Sequence, residues 1–326
     1  DDVVSFAGSS EGVGEVGHGQ SVDALVVMSL TGRHDGAMSD ASASLAPDRR
    51  SPFRRDLQLL VRSVRAENRL FWRTPIGAFF TIGLPLVMLV IFVAIFGNDP
   101  IGTSYGEFAT AQFYAASLGV FAAASATYTN LAINLTMRRD DGVLKRVRGT
   151  PIPPWVFLAG AILSGMWIAA FATTLMVGIG IVAYGVDVQL AQLPAMIVAF
   201  LAGTACFATL GVALAAVSKT ASSAPAIANA TILPLAFLSN VFVPLDDPPS
   251  WLNLIGDIFP LKSFAVAFTE AMSPFSDAPA FEWDRLVVLI GWTVIGAFVA
   301  AKRFRWEPVP GASRRGRGRR NRRSAA

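Results

Sequence analysis

The chain has 326 residues and a formal net charge of +4, with 53% hydrophobic and only 15% charged residues and a mean hydropathy of +0.51. A soluble domain carries roughly a quarter charged residues. Here the charges crowd into short segments between long uncharged runs, which excludes a wholly water-exposed globule and points to a membrane protein. The single cysteine, Cys206, excludes a disulfide within the chain and makes no metal site, and reads as a small hydrophobe.

Residues 1–47 are rich in Gly, Ser, Ala and Asp, lack periodicity and are expected to be a disordered tail. They hold the only histidines, His18 and His34, and no Met at the first position, so the chain reads as processed or excerpted. Residues 48–306 form the expected transmembrane domain. It opens with an amphipathic helix over 53–72, with Leu57, Leu60, Val61, Val64 and Phe71 on one face and Arg62, Arg65, Arg69 and Arg73 on a second stripe. Such a helix lies in the membrane interface, where arginine meets anionic lipid head groups; the alternative is an ordinary solvated helix.

Six spans follow, since a crossing helix needs about 20 mostly apolar residues. They are expected at about 76–96, 108–135, 155–184, 194–217, 224–243 and 286–301. Residues 251–271 are also apolar but are interrupted by Asp257, Pro260, Lys262 and Glu270. They read as a re-entrant or interfacial helix pair on the outer side, with a seventh span as the alternative.

Lys and Arg concentrate on the cytoplasmic side of membrane proteins. Summed over alternate sides of six spans, and leaving aside Arg33 in the N-terminal tail, the basic residues divide 24 against 2, with Lys262 and Arg285 the minority. Both termini are therefore expected in the cytoplasm. The basic tail 307–326, with seven arginines between Arg314 and Arg323, is expected to be solvated and to touch lipid, not nucleic acid.

Several chemistries are missing. No Gly-x-x-x-x-Gly-Lys-Ser/Thr occurs; the stretch Gly211–Thr220 ends in Ser218-Lys219-Thr220 but lacks the second Gly, so no P-loop binds ATP. The expected spans contain no ionisable residue but Cys206, Tyr114, Tyr128 and Tyr184, which argues against proton coupling and against an intramembrane hydrolase. The chain is read as non-enzymatic and binds no cofactor or metal of its own. What remains at membrane depth is neutral polarity. Thr127, Asn130 and Asn134 share a face of the second span, and Asn229 and Asn240 lie in the fifth. They line a substrate path or, alternatively, form interhelical hydrogen bonds.

The loop Arg138–Pro154 (RRDDGVLKRVRGTPIPP) alternates charge and carries its own apolar set, Val143, Leu144 and Val147. It suits a short helix across the cytoplasmic mouth, or a plain basic loop. It resembles the segment before the third helix of type-2 ABC exporter permeases, with Asp140-Asp141 where Glu is usual and Val143 where Thr is usual. Val241–Phe268 (VFVPLDDPPSWLNLIGDIFPLKSFAVAF) resembles the family's pattern after the fifth helix, and the likeness covers about residues 53–306. The stretch DALVVMSLTGR at 23–33 faintly resembles the end of an ABC ATPase subunit.

The resemblance implies an all-α permease that pairs with a second copy or paralogue and binds two ABC-type ATPases, which hold the ATP and Mg. Its coupling residues would be Arg138, Arg139, Asp140, Asp141, Gly142, Leu144, Lys145, Arg146 and Arg148. The family's second and fifth helices line the path, which would place Thr127, Asn130, Asn134, Asn229 and Asn240 along it. The implied substrates are drugs, antibiotics, lipids or glycolipids moved outward across a bacterial cell membrane. A secondary transporter or channel, or a non-transporting scaffold subunit, are the competing readings.

Overall fold

A computed structural model describes residues 52–103, 106–150, 153–243, 249–273 and 280–304. The N-terminal tail, the basic tail 307–326 and the side chain of Arg148 lie outside the described residues. The described chain is helical apart from one small hairpin, as expected for an all-α membrane protein.

In chain order, α1 is Pro52–Trp72 and α2 is Pro75–Phe96, the latter with a π-helical turn at Phe79–Gly83. An antiparallel hairpin follows, β1 at Pro100–Thr103 and β2 at Gly106–Ala109, in a register pairing Ile101 with Phe108; the composition gave no sign of it. Then come α3 (Thr110–Asp140, with a π turn at Ser125–Thr129), α4 (Val143–Arg148) and α5 (Pro154–Tyr184). The last are α6 (Leu193–Val217), α7 (Ser223–Leu238), α8 (Ser250–Ile258), α9 (Pro260–Ala271) and α10 (Trp283–Arg303).

Five of these helices, α2, α3, α5, α6 and α10, are long and apolar enough to cross a bilayer. The span expected at 224–243 is shorter: α7 has 16 residues, about 24 Å at 1.5 Å per residue, and ends at Leu238. Its end is set by Asn240, whose φ of 55° is left-handed, while Val241 N–H donates to Ala236 O at 3.2 Å. Asn is the side chain after Gly that best tolerates that conformation, and the wrap-around bond closes the last turn.

The apolar segment at 251–271 folds as two helices bent by 92°. Pro260 explains the break: it forces Phe259 into an extended conformation (φ −85°, ψ 146°), so α8 stops and α9 restarts with Pro in its first turn. The pair is not merely interfacial. α9 is enclosed almost along its whole length, with Leu261 and Phe264 fully buried against the bundle. Lys262, also buried, donates to Asn253 Oδ1 at 2.9 Å and pairs with Asp257 at 3.1 Å, and Arg285 of α10 reaches the same carboxylate at 2.7 Å. One aspartate thus pairs with both minority cations and ties α8, α9 and α10 together.

α3 is the most enclosed of the spans, while α2 and α10 expose valines, isoleucines and Phe298 as lipid-facing surface. Inside hydrocarbon the helices gain little from excluding water, so close packing of small residues holds them. Gly211 of α6 shows this: a Cβ there would lie 2.8 Å from Thr127 O and 2.9 Å from Tyr128 O, so α6 rests directly on the backbone of the α3 π turn. Gly165 of α5 meets the other side of that turn.

The two ends of the bundle differ in chemistry. At the start of α3, Gln112 donates to Asp187 O (2.9 Å) and Met272 O (2.7 Å) and accepts from Asp187 N–H (3.1 Å), joining the α5–α6 link to the end of α9. Neutral side chains suffice there. At the far end of α3 the ties are charged.

Candidate coupling surface and membrane cavity

Arg138, Arg139, Asp140 and Asp141 stand in sequence at the end of α3, but the helical turn sends them in different directions. Arg138 forks onto Glu67 of α1: one guanidinium nitrogen pairs with Oε1, and Nη2 donates to Oε2 at 2.6 Å. Its guanidinium also lies 5.7 Å from the centre of the Phe157 ring of α5. Glu67 was not among the expected site residues. The available signal was its place as a lone acid amid Arg62, Arg65, Arg69 and Arg73.

Arg139 turns inward and is 2% exposed. Its guanidinium donates to Ala215 O at 2.9 Å and Ser218 O at 2.7 Å, filling carbonyls left open where α6 ends. A cation at that end also complements the helix dipole. Asp140 accepts from Ala221 N–H at 2.6 Å in the α6–α7 link. These two residues tie the end of α3 to the end of α6 and to the α6–α7 link, Arg139 buried and Asp140 half-buried.

Asp141 is exposed, and Gly142 then takes a left-handed φ of 73° that reverses the chain into α4. α4 is anchored by Leu144, fully buried, while Val143, Lys145 and Arg146 point away from the bundle. The result is a short helix pinned by one apolar residue, with a cationic outer face.

On α1, Arg62, Arg65, Arg69 and Arg73 are all exposed. The helix packs on α5 through Ser63, which sits against Gly160, and through Trp72 edge-on to Phe171 at 5.5 Å. Leu57, Val61 and Trp72 remain exposed, so α1 carries an uncovered apolar strip beside its arginines.

Between α1, α2, α3 and α5 lies a cavity of about 450 Å³. Asn130 and Asn134 both line it, as their shared helical face predicts. Asn130, just after the α3 π turn, also donates to Thr81 Oγ1 in the α2 π turn at 2.7 Å. The other expected path residues go elsewhere. Thr127 is buried and donates to Ala123 O at 2.8 Å within its own helix. Asn229 is exposed on α7, and Asn240 is the buried residue that terminates that helix. Ser164 of α5, a hydroxyl with no motif around it, also lines the cavity. Among the described residues no cluster of His, Cys, Asp or Glu is arranged to hold a metal ion.

Comparison with known proteins agrees with this architecture. Residues 58–273 match the family model described as ABC-2 type transporter. The chain is 29% identical over 255 residues to the daunorubicin resistance ABC transporter permease protein DrrB1 of Streptomyces coeruleorubidus, covering 76% of this chain and 84% of that protein. It is 30% identical over 200 residues to the putative transport permease ycf38 of Cyanophora paradoxa, covering 58% of this chain and 65% of that one. A multi-helix membrane bundle with a short charged helix beyond its third described helix, matched to that model over two thirds of its length, belongs to the ABC-2 type transporter family and is a transporter's membrane subunit.

Proposed function

We propose that the chain exports an amphipathic substrate, powered by ABC-type ATPases that dock on α4 and hold the ATP and Mg. A second permease subunit completes the membrane pathway, and the charged end of the bundle, with both termini, faces the cytoplasm of a bacterial cell. The observation that carries this reading is the build of α4: a buried Leu144 beneath exposed Val143, Lys145 and Arg146. The 24-to-2 division of basic residues supports the orientation, and the named resistance permease of Streptomyces supports outward movement of a drug-like molecule.

The ties around α4 supply a route for force. A push on α4 reaches α3 through the Gly142 turn, α6 and α7 through Arg139 and Asp140, and α1 through the Glu67–Arg138 pair. α1, with its arginine stripe on anionic head groups, then serves as the lever that stays in the interface.

The Glu67–Arg138 pair tests this route. Glu67→Arg sets two guanidinium groups side by side and lowers ATP-driven uptake into inside-out vesicles about tenfold, equivalent to ~1.4 kcal/mol. The exchanged pair, Glu67→Arg with Arg138→Glu, restores most of that uptake. Full transport in the single variant, or no recovery in the exchanged one, removes the pair from the route.

A further inference from the structure

We propose that the outward face of α8 holds an anionic phospholipid of the surrounding bilayer, with its phosphate at Arg285 and an acyl chain along the helix. The lipid resides in the leaflet opposite the charged end of the bundle, and its binding does not depend on transport.

α8 is turned inside out for a helix in water. Trp251, Leu254, Ile255 and Ile258 follow at helical spacing and are all exposed. The other side meets the protein. Asn253 and Asp257 hold Lys262, and Gly256 rests on Leu238 O, where a Cβ would lie 2.9 Å away. A helix in water turns its apolar stripe to the protein, and one in hydrocarbon turns it outward. The size of these side chains also marks a lipid face, since helices here meet one another at glycines such as Gly160, Gly211 and Gly256.

α10 supplies the depth. Its 21 residues span about 31 Å, close to the ~30 Å of a hydrocarbon core. Exposed Trp283 marks the head-group level at one end, and Lys302 and Arg303 mark the other. Trp292 therefore lies near the middle of the bilayer. Its Nε1–H donates to Ile258 O at 2.7 Å, and its ring stacks on Phe259 with centres 6.1 Å apart. Arg285 stands near the head-group end, roughly 10 Å from Trp292 along the helix. The end of the stripe thus sits at acyl-chain depth, and the guanidinium at the depth of a phosphate.

Charge sets the head group. Lys262 and Arg285 share one carboxylate, which leaves one positive charge over. Arg285 Nη1 donates to Asp257 at 2.7 Å, and its guanidinium makes no other hydrogen bond or ion pair among the described residues, with Glu282 and Asp284 included. A phosphate suits that planar donor set, and a lipid of net negative charge suits the surplus.

The test uses the full chain in nanodiscs, with Cys206→Ser as background. Leu254→Cys carries a bimane label on the stripe, and Ile290→Cys carries it on the lipid face of α10 as a control. The quenchers are phosphatidylglycerol and phosphatidylcholine, each with a nitroxide on its acyl chain, at equal mole fraction. At residue 254 phosphatidylglycerol should bind about fivefold more tightly, the scale for one cation near an anionic lipid. At residue 290 the two lipids should quench equally. Arg285→Gln should abolish the preference at 254, and Arg285→Lys should keep most of it. The Gln variant leaves Lys262 paired with Asp257, and unchanged quenching at 290 verifies its fold. Where Arg285→Gln disturbs folding, the comparison of 254 with 290 carries the test. Equal quenching at 254, a preference of the same size at 290, or a preference that survives Arg285→Gln overturns the proposal. So does a label at 254 that neither lipid reaches: quenching by iodide then assigns the face to water, and protection from iodide assigns it to a second copy of the chain.

Discussion

Arg139→Leu is expected to destabilise the folded chain by about 3 kcal/mol, the scale for removing a buried charged donor that serves two carbonyls. The guanidinium is the cap of α6, reaching Ala215 O and Ser218 O from a position that water does not enter. Leucine fills part of the space but leaves both carbonyls unpaired and Asp140 without its neighbouring cation. Arg139→Lys should recover part of the loss, since an ammonium is a point donor and does not reproduce the planar fork. The readout is built into the chain: Cys206, its only cysteine, is buried on the same helix. Reaction with a thiol dye during heating therefore reports unfolding of α6. A melting temperature unchanged by Arg139→Leu would show that the end of α6 is held by something else.

Lys145→Glu with Arg146→Glu should have the opposite profile, with normal melting but at least ~10-fold less ATPase recovered with the chain. Both side chains are exposed and neither forms an ion pair among the described residues, so the fold loses nothing. At a docking surface the same change turns two attractions into repulsions. Exposed pairs contribute about 0.2–1 kcal/mol each, so reversal of both reaches roughly 1.5–2 kcal/mol. The deficit should grow at low salt, where screening is weaker. Undiminished recovery of ATPase would place docking elsewhere on the chain.

These two predictions separate residues that the sequence presents as one charged block. Arg138 to Arg146 read as a single basic segment because charge is visible in sequence and direction is not. Four of the five spans were legible because uncharged runs of more than 20 residues have few other uses, and the fifth from the shorter uncharged run 286–301. The end of α7 was not, because Asn240 looks like one more polar residue in an apolar run until its left-handed backbone is seen. The bend at Pro260 was legible from the proline and the interrupting charges. The burial of α9 was not, because Lys262 argues for exposure unless its partners Asn253 and Asp257 are known. In the cavity, Asn130 and Asn134 could be paired by helical spacing alone. Ser164 had no such mark, since its place on the cavity wall follows from how α5 packs against α3.

The most direct measurement is recovery of the chain from its own membrane in mild detergent, followed by an ATPase assay on what accompanies it. The account predicts an ABC-type ATPase in stoichiometric amount, with ATP hydrolysis that disappears from the preparation when Lys145 and Arg146 are reversed. A chain that purifies alone, from a membrane holding no nucleotide-binding partner for it, would contradict the account.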